Sequence, residues 1–97
     1  AMHVDILYEK AKEELERVKS RYLNEIENLQ REIERVQEDL GGLKSALDEI
    51  ALQDENVDLQ TVYRIIFQME SEMSESQRSI ESSKNVIEHI SLERREA

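Results

Sequence analysis

Cysteine, proline and tryptophan are absent from this chain of 97 residues, and it holds two glycines, three tyrosines and one phenylalanine. Without cysteine there is no disulfide, no thiolate nucleophile and no cysteine-ligated zinc or iron–sulfur centre. The missing proline and scarce glycine remove the punctuation that β-rich folds need, leaving long helices as the remaining regular structure. With so few aromatics and room for one domain at most, a thick core is out of reach. Burial must come from a narrow seam or from another chain. No apolar run approaches the roughly 18–20 residues of a membrane span, and no signal-peptide core is present. The expected setting is therefore cytoplasmic, with nuclear and cytoskeleton-associated locations in the same intracellular class.

Charge is abundant and one-sided, 23 acidic against 13 basic residues for a net charge of −10. Nucleic acid and anionic membranes are recruited by clustered Lys and Arg. Here the densest basic groups, Arg17, Lys19 and Arg21 and then Arg94 and Arg95, are small and interleaved with or bordered by glutamates. Neither nucleic acid nor membrane is an expected partner. The acidic stretch from Asp54 to Glu75 reads first as a solvated face, although it would also attract a basic protein surface.

What is present is periodic. Apolar residues fall at Ile26, Leu29, Ile33, Val36, Leu40, Leu43, Leu47 and Ile50 in alternating steps of three and four, a heptad seam with Ile26 at position a. Upstream, Val4, Leu7, Ala11, Leu15, Val18, Tyr22 and Ile26 follow an eleven-residue spacing. That spacing predicts a nearly straight or slightly right-handed start, passing into a left-handed supercoil near Ile26. Glu13 to Arg17 and Glu27 to Arg31 stand at i, i+4 on the outer surface, each pair worth a few tenths of a kcal/mol. Gly41-Gly42 sits at b and c, and the seam keeps its phase across it. The reading is one helix over about 4–50 with a soft point, with a hinge at the glycines as the alternative.

A separation of nine residues from Ile50 to Leu59 fits neither a heptad nor an inserted turn of helix, and the segment between them is rich in Asp and Asn. A turn is expected over about 51–57. Asp58 or Asn56 can accept from the free amides that open a second helix over about 58–96. Its seam reads Leu59, Val62, Ile66, Met69, Met73, Ser76, Ile80, Ser83, Ile87 and Ile90. Antiparallel pairing would set Leu47 against Val62, Leu43 against Ile66, Leu40 against Met69, Val36 against Met73, Leu29 against Ile80 and Tyr22 against Ile87. Ser76 and Ser83 would thin the middle of that core, softened by back-bonding of each hydroxyl to a carbonyl one turn earlier.

The expected fold is all-α, a long antiparallel two-helix coiled-coil hairpin associating into a four-helix bundle near the turn. Residues 1–3 read as a vector remnant and disordered start, and 4–97 as a single helical domain. A chain with such a start would be an excised segment of a larger protein.

Chemistry finds little to stand on. His3 and His89 lie at opposite ends, the 23 carboxylates occupy no apolar face, and no phosphate loop, nucleophile elbow or Ser/His/Asp order occurs. An enzyme is not expected, nor a cofactor, nor a metal, which would require three or four convergent ligands. The serines of the second helix, Ser71, Ser74, Ser76, Ser79, Ser82 and Ser83, read as tolerated surface residues rather than as a phosphorylation segment.

Around Val62–Met69 the second helix is apolar on nearly every side, more than an inward seam requires. Tyr63, Ile65 and Phe67, with Leu52 and Val57 of the turn, are therefore the expected protein-interaction patch. The functional expectation is a structural or adaptor module that self-associates, as a homodimer or higher homo-oligomer, and assembles proteins. The alternatives are a small acidic chaperone or regulator that shields a hydrophobic client segment, and a parallel dimeric spacer about twice the hairpin's length.

Overall fold

A computed structural model describes residues 2–95. Ala1, in the expected disordered start, and Glu96 and Ala97, at the expected end of the second helix, lie outside them. Two helices form, α1 over Met2–Gln53 and α2 over Gln60–His89, and no strand accompanies them among the described residues. They pack antiparallel as a hairpin of 80 × 19 × 13 Å.

Helix α1 opens earlier than expected, taking in Met2 and His3, and runs unbroken through Gly41-Gly42. Neither glycine has a positive φ, and a Cβ built on either meets nothing within 4 Å. The glycines therefore lie in helical backbone on an open outer face. The turn is held locally: the Asp54 amide donates to the Ile50 carbonyl at 2.9 Å, and the Asn56 amide to Asp54 Oδ1 at 3.0 Å. The Gln60 amide donates to Asp58 Oδ1 at 3.0 Å. This satisfies one of the orphan donors at the start of α2, as the sequence suggested for Asp58, although α2 starts two residues later than expected and its N-cap, Leu59, makes no side-chain bond.

The hairpin's midpoint falls between Asn56 and Val57, because α1 reaches Gln53 and α2 begins at Gln60. This is about two residues later than the expected pairing implies, so the partners move. Gln37 meets Gln77 and Lys44 meets Glu70, where the expected register would have set Glu72 and Ile65.

The covered face is also rotated from the expected seam. Ile26, Leu40 and Ile66 are buried, and Ile33, Val36, Leu47, Leu59, Met73, Ile80 and Ile87 are half-buried. Leu29, Leu43, Ile50, Val62, Met69 and Ile90, which the sequence reading placed on the inner seam, are exposed, Leu29 and Leu43 by nearly half (48% and 47%).

The reason lies in what each flank can offer. One partner helix covers a central line and one side of it; the sides here are the d positions and the e positions of the heptad. On the d side α2 brings Ser76 and Ser83, too short to fill the space before Leu29 and Val36. On the e side it brings the long side chains of Tyr63, Glu70, Gln77 and Lys84, all half-buried, of which Tyr63, Glu70 and Gln77 reach across to Asp48, Lys44 and Gln37 of α1.

Helix α2 ends at His89, short of the expected 96, and Ile90 turns to extended backbone (φ −72°, ψ 126°). Lys19 of α1 explains the stop. Its ammonium donates to the carbonyls of Ile90 at 2.7 Å and Glu88 at 3.3 Å, groups that a helix end leaves without a partner. The next residues run along the start of α1. Tyr8 donates its hydroxyl to the Leu92 carbonyl at 2.8 Å, Arg94 pairs with Asp5, and the Arg94 guanidinium stands 5.8 Å over the Tyr8 ring.

Candidate interaction surfaces

Two flanks of unlike chemistry follow from this rotation. The first is a polar ladder. Tyr63 Oη donates to Asp48 Oδ1 at 2.5 Å, and Lys44 lies 3.9 Å from Glu70. Gln37 and Gln77 exchange side-chain amide bonds at 3.2 and 3.3 Å, and Gln30 donates to Glu81 at 2.9 Å. The Gln37–Gln77 rung is part-buried, so its paired amides satisfy groups whose burial would otherwise be costly, whereas the other rungs are solvent-exposed and contribute little each. The ladder was missed in the sequence, although a signal existed: Gln30, Gln37 and Lys44 recur every seven residues, as do Tyr63, Glu70, Gln77 and Lys84.

Tyr63 therefore belongs to the intramolecular contact and not to an outward patch. Its bond to the Asp48 carboxylate, with partial burial and that negative charge added, raises the Tyr63 pKa above the ordinary value of 10.0. A folded-state pKa above the unfolded one means stability that is fully present below about pH 10 and lost as pH rises through the folded value. We expect thermal unfolding followed by circular dichroism to show a steeper loss above pH 10 in the wild type than in Tyr63→Phe. Parallel pH profiles for the two proteins would contradict the Tyr63–Asp48 rung.

The rest of the expected patch divides. Phe67 is exposed (72%) and borders a shallow depression with Glu70, Ser71, Ser74 and Arg78 beside the ladder. Ile65, half exposed, points the other way, since two residues along a helix turn the direction by about 200°. Leu52 (86%) and Val57 are exposed at the turn. The structure thus gives these five residues three separate surroundings.

The second flank is a shallow apolar groove. Leu29, Leu43 and Ile50 of α1 and Val62 and Met69 of α2 are exposed along it with Ile65 on its border, and Val36 is half-buried in its floor. Glu25, Asn28, Leu29 and Glu32 shape a shallow depression along its α1 side. Glu72, Glu75, Ser76, Ser79 and Ile80 shape another on α2.

A third surface comes from unequal helix length. With α2 ending beside Lys19, α1 runs past it by about 25 Å. The 90–95 segment covers only the Asp5, Tyr8 and Lys19 side. Val4, Leu7, Val18 and Tyr22 stay exposed, on the face that continues into the groove.

Among the described residues no group of three or more His, Asp or Glu could hold a metal ion. His89 sits by Lys19, about 24 Å along α1 from His3, and its Nδ1 lies 2.6 Å from the Asn85 carbonyl oxygen. The six serines of α2 are exposed. Among the described residues no helix is long and apolar enough to cross a membrane. No protein-family model, no curated protein and no solved structure matches this chain.

Proposed function

We propose that the hairpin is a non-enzymatic coiled-coil scaffold or adaptor segment that self-associates and gathers helices of other proteins in an intracellular, cytoplasmic setting. One observation carries this reading. Along one side of α1, Tyr22, Leu29, Leu43 and Ile50 stay exposed beside the face that α2 covers, and Val4, Leu7 and Val18 stay exposed where α1 runs past the end of α2. Such a stripe, some 70 Å long, exceeds the scattered apolar exposure of an ordinary monomer surface.

Charge distinguishes where a second copy can approach. Residues 2–22 hold five acids and five bases, so the whole net charge of −10 belongs to residues 23–97. Two copies meeting through Val4, Leu7, Ala11, Val18 and Tyr22 face no net repulsion. A second reading keeps the four-helix bundle near the turn, favoured by the apolar cluster of Leu43, Ile50, Val62, Ile65 and Met69.

Absolute mass across a concentration series tests both. We expect a wild-type dimer, a monomer for Leu7→Asp/Val18→Asp, and a retained dimer for Leu43→Asp/Met69→Asp. The reverse pattern would move association to the turn. A wild type that stays monomeric throughout would overturn self-association.

A further inference from the structure

The groove between α1 and α2 has an apolar floor and a rim of one sign. Six residues make the floor: Leu29, Val36, Leu43, Ile50, Val62 and Met69. The rim lies one helical step outside it, at Glu25, Glu32, Asp39 and Ala46 on α1 and at Ile65, Glu72, Ser79 and Val86 on α2. Four of those eight positions are acidic and none is basic. Arg21, beyond the end of the groove, reaches only Glu25, at 3.7 Å.

We infer that this groove receives a basic amphipathic helix of another protein, its apolar stripe on the floor and its Lys and Arg against the rim carboxylates. The inference rests on the reading of the hairpin as an interaction module and names the partner's chemistry. A helix laid in such a groove is anchored by residues at i, i+3 or i+4, and i+7. The floor from Leu29 to Ile50 is about 32 Å long, room for a helix of some 20 residues.

The same rim disfavours a second copy, which would set its own Glu25, Glu32, Asp39 and Glu72 against these, with Arg35, one step further out between Glu32 and Asp39, as the one base on that side of α1 within the groove's length. Shallow depressions beside Leu29 on α1 and beside Ser76 on α2 offer places for large anchor side chains, and Met69 can repack around them.

The chain has no tryptophan, so a probe peptide carrying one reports its own binding by fluorescence. The probe is a synthetic helix of about 20 residues, leucines on one stripe and lysines flanking it. It is compared with a version bearing glutamate for lysine and with one of scrambled period. We expect saturable one-to-one binding of the first, and at least tenfold weaker binding of the other two. Glu32→Lys/Asp39→Lys/Glu72→Lys should weaken the first at least tenfold. Glu27→Lys/Glu34→Lys/Glu38→Lys, with the same charge change on surfaces away from the groove, should change it less than threefold.

Equal losses in the two triple variants, or equal binding of the scrambled peptide, would mean diffuse attraction and overturn the groove. So would a Leu43→Cys chain that oxidises to a covalent dimer, since a second copy would then occupy the floor. Far-UV circular dichroism on each variant excludes unfolding as the cause. A failed peptide test with the dimer intact removes only this partner. A monomeric wild type that still binds the peptide removes only self-association.

Discussion

Replacing Ile66 with alanine should lower the unfolding free energy by about 3 kcal/mol, within the range for truncating a buried aliphatic side chain. Ile66 is the most buried residue of the hairpin (3% exposed), followed by Leu40 (7%) and Ile26 (9%). A core this thin spreads its burial over few side chains, and a small domain has only several kcal/mol of stability in all. Val62→Ala is the control, because the sequence seam put Val62 on the same inner line whereas the structure leaves it 39% exposed. It should lose less than about 1 kcal/mol, as much of its apolar area is already in water. Urea unfolding followed by circular dichroism reads both values. Equal losses at Ile66 and Val62 would put the contact back on the a/d seam and remove the open groove.

The second large effect is a gain. Gly41→Ala/Gly42→Ala should stabilise the hairpin by about 2 kcal/mol, since each glycine in a helix interior costs roughly 1 kcal/mol relative to alanine. Nothing opposes the change: the backbone is helical at both positions and neither added methyl meets an atom within 4 Å. The midpoint of thermal unfolding should rise accordingly. A fall, or no change, would mean that the pair is a working hinge whose bend alanine forbids.

Much of the architecture was legible because a heptad is a geometric instruction. The unbroken phase from Ile26 to Ile50 favoured one helix across the two glycines over a hinge there, and the nine-residue separation to Leu59 called for a turn before α2. What the apolar pattern could not decide was which flank of the central line the partner covers. That depends on side chains a hydrophobic pattern ignores: Gln37 and Gln77 can pair, Tyr63 can reach Asp48, and Ser76 and Ser83 can fill nothing. The expected patch of Tyr63, Ile65 and Phe67 came apart because Ile65 points away from the side that Tyr63 and Phe67 share, and on that side Tyr63 is taken up by its bond to Asp48 while Phe67 stays exposed. The end of α2 was hidden differently. Lys19, 69 residues before Glu88, supplies the bonds that let the helix stop, and no local signal in 90–96 announces it.

The antiparallel hairpin with its polar flank closed is the premise of every surface described above, and one distance tests it. The chain lacks cysteine, so Glu34→Cys and Arg78→Cys place two spin labels and no others. Both residues border a shallow depression that spans the two helices on the ladder side, with Gln30, Ser74, Gln77 and Glu81. In protein diluted with unlabelled chain, dipolar spectroscopy should find them close together, as expected across helices whose axes lie about 8–10 Å apart. A separation near 66 Å, the length of continuous helix between the two positions, would contradict the hairpin and leave an extended rod.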